Sequence, residues 1–152
     1  MAAGDPEIRR FTYVPSEPGP DFFDRWLRRY EDGWRNGSSA GFAIRDVGDG
    51  AAIGFAAFVH LDLARSEGEI GYMVDPVARG RGAATRAVRL LTDWGLAGLR
   101  LERIELRIDA RNEASSRVAE RAGYRLDGVL RSLSFKEGRR TDTAVWSRLR
   151  TD

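Results

Sequence analysis

The segment Glu69-Ile-Gly-Tyr-Met-Val-Asp-Pro76-Val-Ala-Arg79-Gly80-Arg81-Gly82-Ala-Ala-Thr85 changes its periodicity midway, and that change decides the fold. Its first half belongs to an apolar run from Gly68 to Asp75, which reads as a strand. Pro76 stops it, because a proline has no N–H to give to a sheet ladder. Beyond Gly80 and Gly82 a helical pattern begins, carried by Ala84, Ala87, Val88, Leu91 and Gly95. A strand that feeds a helix through a tight turn leaves unpaired N–H groups and the positive end of a dipole at the helix start, where sheets of this kind bind anions. Gly80 and Gly82 would let the backbone approach a phosphate closely, and Arg79 and Arg81 add charge. Plain turn chemistry would also explain the glycines. Two nucleotide motifs fail on spacing: there is no lysine for a P-loop, and Thr85 stands where a dinucleotide fingerprint needs its third glycine.

Outward from this junction the chain reads as one continuous pattern. Residues 1–20 hold four prolines and little periodicity, and are expected to form an extended arm. From Asp21 to Trp34, the residues Phe23, Trp26, Leu27, Tyr30 and Trp34 form one stripe of an amphipathic helix. Gly41–Asp46 and Ala51–His60 are apolar runs joined across Asp49-Gly50, a strong hairpin signal. Downstream, Leu101–Asp109 alternates, with Ile104, Leu106 and Ile108 on one face. Asn112 can cap a helix over 114–122, and Gly123 is suited to end it. Two last strands, about 128–135 and 141–149, are joined across Glu137-Gly138. The strands at 68–75 and 101–109 are linked through a helix, so they should run parallel, while the hairpins on either side are antiparallel. The expectation is a mixed α/β (α+β) fold: one mostly antiparallel sheet, flanked by helices, with residues 1–152 forming a single domain.

Composition narrows the function. The 152 residues contain no cysteine, which excludes disulfides, thiolate zinc sites and a cysteine nucleophile. The N-terminal residues lack the apolar run of a secretory signal, and Ala51–Val59 is far too short to cross a bilayer. A cytoplasmic protein without membrane contact is expected. The net charge is only +2, and Lys136 is the sole lysine. The arginines are interleaved with acids, so a nucleic-acid partner is not expected.

The segment 69–85 resembles the signature of the GNAT superfamily of N-acetyltransferases, a strand followed by Arg/Gln-x-x-Gly-x-Gly/Ala opening a helix. Arg79, Gly82 and Ala84 fill its positions. Asn112-Glu-Ala-Ser115 with Ala122-Gly-Tyr124, and Gly138-Arg-Arg-Thr-Asp142 with Trp146-Ser-Arg-Leu149, are similar to segments of the Rim-type branch, which acetylates ribosomal-protein N-termini. The resemblance covers roughly residues 5 to 150. It implies a GNAT-like fold, acetyl-CoA as co-substrate with no metal, and direct attack of an amine on the thioester. The parallel strand pair should splay to admit the thioester.

The resemblance also implies roles. Backbone amides of Arg79, Gly80, Arg81, Gly82, Ala83, Ala84 and Thr85 would hold the coenzyme A pyrophosphate. Met73 and Val74 would pair with the pantetheine arm, and Asn112 would hydrogen-bond it. Many relatives protonate the leaving thiolate from a tyrosine seven positions after the asparagine, where Ala119 stands here. Ser115 is the position proposed in the Rim-type branch. Glu69 matches a frequent general base and reads equally as a solvent-facing strand carboxylate; Glu67 is a weaker candidate. His60 reads as a surface residue. Tyr124 should pack onto Val118 or Ala119. Arg86 stands where the branch usually has glutamate, and relatives usually carry a further strand and helix ahead of Asp5. Without these the sheet would have an open edge that a second subunit, as in a homodimer, would cover. The rival expectation is a non-catalytic module that senses coenzyme A or docks a partner.

The chemistry favours a particular amine. A free α-amino group titrates at about 7.7–8.0 against about 10.4 for lysine, so part of it is neutral at cellular pH and a weak base suffices. Protein N-termini and small amines both meet that requirement.

Overall fold

The computed structural model describes residues 5–12, 14–15 and 17–152. Six strands form one sheet: β1 (Ala40–Arg45), β2 (Ala52–Asp62), β3 (Glu67–Val74), β4 (Arg103–Asp109), β5 (Arg125–Lys136) and β6 (Arg139–Leu149). They lie in the order β1-β2-β3-β4-β6-β5, so β1 and β5 are the outer strands. Every pairing is antiparallel except β3 with β4. Four α-helices accompany the sheet: α1 (Pro6–Phe11), α2 (Phe22–Asn36), α3 (Ala83–Asp93) and α4 (Glu113–Arg121). This is the expected mixed architecture. No helix among the described residues is long and apolar enough to cross a membrane.

The parallel pair carries the main consequence for function. β3 and β4 are in register only at Glu67↔Arg103, Gly68↔Ile104 and Glu69↔Glu105. Beyond Glu69, β3 remains bonded to β2 as far as Val74 and β4 remains bonded to β6 as far as Asp109. The two strands therefore separate along one half of their length, as expected, and the gap opens toward the start of α3.

Local signals explain the elements. Gly37 ends α2 in the left-handed region at φ 76°, with its N–H bonded to the Gly33 carbonyl. Glu137 and Gly138 both have positive φ, as a two-residue hairpin turn requires. After Asp93 the α3 helix widens into a π-turn over Trp94–Gly98. There Gly95 lies against the core, where a Cβ would come within 2.7 Å of both Ile104 and Phe58. The core runs between α3 and the sheet through Phe58, Val88, Leu101, Ile104 and Leu106, none of them more than 1% exposed.

The N-terminal expectation is corrected. Residues 6–11 are helical, because Asp5 caps the first turn by accepting from Glu7 N–H at 3.0 Å and Ile8 N–H at 2.9 Å. Pro6 sits at the first helical position, where its missing N–H costs nothing.

Candidate active site

The glycine turn has the geometry its sequence demands. Gly80 and Gly82 both lie at φ 76°, in the left-handed region closed to most side chains. Asp75 caps the short 3₁₀ turn Pro76–Ala78 through Val77 N–H. The α3 helix starts at Gly82 with no side-chain cap, so its first amides have no local acceptor from the cap residue. They face a cleft of about 370 Å³. Met73, Val74, Arg79, Gly80, Gly82, Ala83, Ala84, Thr85, Asn112 and Ser115 all line it. Arg81 is exposed and lies outside this lining. The opposite wall is α1, through Glu7, Ile8, Phe11 and Thr12.

Arg79 gives the cleft shape more than charge. Its Nε donates to the Val74 carbonyl at 3.2 Å, and its terminal nitrogens donate to Asp5 at 3.0 Å and Glu7 at 2.7 Å. Two carboxylates thus neutralise the guanidinium and dock α1 onto the glycine turn. The cations that line the cleft otherwise are Arg117 and Arg121 on α4. Sequence reading missed both, although 114, 117, 118 and 121 follow helical spacing and form one stripe.

A smaller chamber of about 150 Å³ continues from the cleft, sharing Tyr72, Met73, Asn112 and Ser115 with it and reaching Glu69. The structure therefore brings Ser115 and Glu69 to one space. Asn112 takes up its capping role, its side-chain oxygen accepting from Ser115 N–H at 3.1 Å. Burial raises the Glu69 carboxyl above its ordinary value, against the pull of Arg107. The Arg107 Nε lies 3.6 Å from the Glu69 carboxylate. Glu67 points instead to Arg65 at the surface, and His60 is exposed. Tyr124 is buried near Ala119, and its hydroxyl shares a hydrogen bond with Thr92 at 2.7 Å.

Tyr72 was missed. Its hydroxyl is buried without a well-formed hydrogen bond, at the junction of cleft and chamber. Burial pushes the phenol up to about 12, against a smaller opposing pull from the nearby Ser115 hydroxyl. It therefore stays protonated across the working range and can act only as a donor or neutral acceptor.

A model of the acetyltransferase (GNAT) domain matches residues 1–125. The chain belongs to the GNAT family. Its reaction is accordingly the transfer of an acetyl group from acetyl-CoA to an amine, and the non-catalytic reading finds no support. Among characterised and uncharacterised GNAT proteins, it is 26% identical over 148 residues to the uncharacterised N-acetyltransferase p20 of Bacillus licheniformis, covering 97% of this chain and 83% of that one. It is 31% identical over 127 residues to the putative ribosomal N-acetyltransferase YdaF of Bacillus subtilis, covering 84% of this chain and 66% of the relative. The fold matches that of RimL, a ribosomal L7/L12 alpha-N-protein acetyltransferase solved with coenzyme A, with a TM-score of 0.84 at 17% identity over 93% of this chain and 80% of that one.

The residues fit the co-substrate. An uncapped helix start behind two left-handed glycines suits a pyrophosphate, and the separation from β4 leaves Met73 and Val74, still paired with β2, without a strand on their other side, where an extended arm can lie.

Proposed function

We propose that this GNAT protein acetylates an α-amine, or an amine of similarly low basicity, by direct attack within the chamber that joins the cofactor cleft. The observation that carries the reading is the convergence of Glu69, Ser115 and Tyr72 on that chamber, at the gap between β3 and β4. Acetyl-CoA supplies the activated acetyl thioester. Amides of residues 79–85 hold its pyrophosphate, Met73 and Val74 offer backbone to the pantetheine, and Asn112 adds a polar contact.

Glu69 serves as the base. A carboxylate whose proton affinity is raised by burial takes a proton more readily than a free one, and an α-amine needs only that modest help. The amine nitrogen forms the new C–N bond as the C–S bond breaks, and its proton passes to Glu69. Ser115 gives a proton to the departing sulfur and regains one through solvent as Glu69 releases the proton it took, with Tyr72 beside it as a second buried O–H. The RimL and YdaF likenesses support a protein N-terminal α-amine as one acceptor of this type. A cytoplasmic site of action belongs to the same reading.

Thiol release measured against pH tests the role of Glu69. At saturating amine and acetyl-CoA, the wild-type kcat should fall on acidification through a value above that of an ordinary carboxylate, and Glu69→Gln should lower kcat at least tenfold and abolish that limb. The sign for stability is opposite. A carboxyl whose folded value is raised stabilises only at low pH and costs stability once ionised, so Glu69→Gln should melt higher than wild type at neutral pH. An unchanged pH profile in the variant would remove Glu69 from the reaction.

A further inference from the structure

The inner chamber has a chemical character that the reaction alone does not require. Three aromatic rings form one wall: Trp26 and Tyr30 of α2, and Phe55 of β2. Their centroids are 4.4 Å apart for Trp26–Phe55, 5.1 Å for Tyr30–Phe55 and 5.1 Å for Trp26–Tyr30. Each ring braces the other two, in tilted or edge-on contacts, so the wall is preformed. Val59, at the register shift of β2 just before the His60↔Glu69 pair, completes the apolar side.

The charges facing this space are few and matched. Glu69 lies beside Arg107, which also pairs with Glu105 at 3.2 Å. Asp109 is held by a two-point contact from Arg111, at 2.9 Å and 2.8 Å. No surplus of carboxylate awaits a second ammonium. A polycation would have to bury a second charge here without a counter-ion, at a cost that attraction to the ring faces offsets only in part. An uncharged apolar group, by contrast, gains from the same surface.

We infer that the acceptor is a primary amine borne on a carbon whose substituent is compact, uncharged and apolar, with that substituent filling the Trp26–Tyr30–Phe55 chamber and the nitrogen turned toward Glu69 and the cleft. This rests on the transfer reading above and narrows its substrate. It disfavours polyamines and amines carrying a second charge. A free amine and a peptide whose first residue is apolar present the same group.

The test compares kcat/KM by thiol release, at saturating acetyl-CoA, for phenylalaninamide, leucinamide, glycinamide, spermidine and a hexapeptide beginning with phenylalanine. The two apolar amides should exceed glycinamide at least tenfold, and spermidine should fall below all of them. Peptide turnover comparable to phenylalaninamide would identify a chain terminus as the source of the group, and turnover of the amide alone a small molecule; either outcome supports the inference. Glycinamide or spermidine matching the apolar amides would overturn it. Val59→Asp places an unpaired carboxylate in the chamber. It should cut the phenylalaninamide-to-glycinamide ratio at least tenfold and raise spermidine turnover, with the thermal shift by acetyl-CoA retained as proof of folding. Val59→Ala, which only enlarges the space, should lower the ratio less. Ratios unmoved in both variants would place the acceptor elsewhere. Thermal stabilisation by acetyl-CoA with no turnover of any amine would refute the transfer reading itself, and this inference with it.

Discussion

The two walls of the cofactor cleft are built on different principles. The glycine-turn wall, residues 79–85, is fixed by its own backbone: two left-handed glycines, a capping aspartate four residues before the turn, and the first bond of α3 from Arg86 N–H to the Gly82 carbonyl. The α1 wall, residues 6–11, is too short to be stable as an isolated helix. Distant cations hold it. Arg79 reaches Asp5 and Glu7 from one side, and from the other the Lys136 ammonium donates to the backbone carbonyls of Arg9, Thr12 and Val14. One wall is written in conformation and the other in charge, so different perturbations should damage each.

The most severe break is Gly82→Trp. A bulky residue at φ 76° pays roughly 1–2 kcal/mol of backbone strain and fills the cleft mouth. Calorimetry should show acetyl-CoA affinity reduced at least 100-fold while the sheet still folds. Retained binding would mean that the glycine wall does not touch the co-substrate. Next comes Lys136→Met, which leaves three carbonyls without their charged donor. Hydrogen bonds to charged groups contribute about 1.5–3 kcal/mol, so the melting temperature should fall by several degrees and KM for acetyl-CoA should rise about tenfold with kcat little changed. An unaltered KM would show that α1 is not a working wall.

Asp5→Asn sharpens the contrast more gently. Asparagine keeps the helix cap and loses the ion pair with Arg79, so KM should rise about threefold. The Ile8 N–H bond and then Arg79 hold the Asp5 carboxyl below its ordinary value. A depressed carboxyl stabilises at neutral pH and loses that contribution as pH falls through its folded value. The melting difference between wild type and variant should therefore shrink as pH falls below the ordinary carboxylate value and on through the depressed folded one, and a constant difference would contradict the assignment. Smallest of all is Arg81→Ala, at an exposed position outside the cleft lining. Binding of acetyl-CoA should change less than twofold.

What the sequence made legible follows the same division. The hairpins at Asp49-Gly50 and Glu137-Gly138, the strand stopped by Pro76 and the glycine turn are specified within a few residues, and each was readable. The α1 helix was not: six residues show no periodicity, and its second anchor lies 127 residues away at Lys136. Proline count outweighed the Asp5-Pro6 cap signal. Glu69 and Ser115 could be named only through a family likeness, since a strand carboxylate and a first-turn serine are ordinary locally. Tyr72 was hidden for the same reason, because an aromatic on a strand reads as core. Trp26 and Tyr30 did read as one face of a helix; that the face borders a cavity depends on where Phe55 lies across the sheet.

Lys136 has a further consequence. An enzyme that handles an activated acyl group risks decorating itself, and every exposed lysine is a target. Here the only lysine has its nitrogen directed at three backbone carbonyls, so acylation would require that anchor to be dismantled first. Arginine supplies the rest of the positive side-chain charge without offering a nucleophile. Its side chains should therefore resist amine-directed dyes, cross-linkers and the acyl donor, and Lys136 should become chemically reactive only as α1 lets go, which makes its labelling rate, read at that residue by peptide mapping, a direct clock for the opening of that wall.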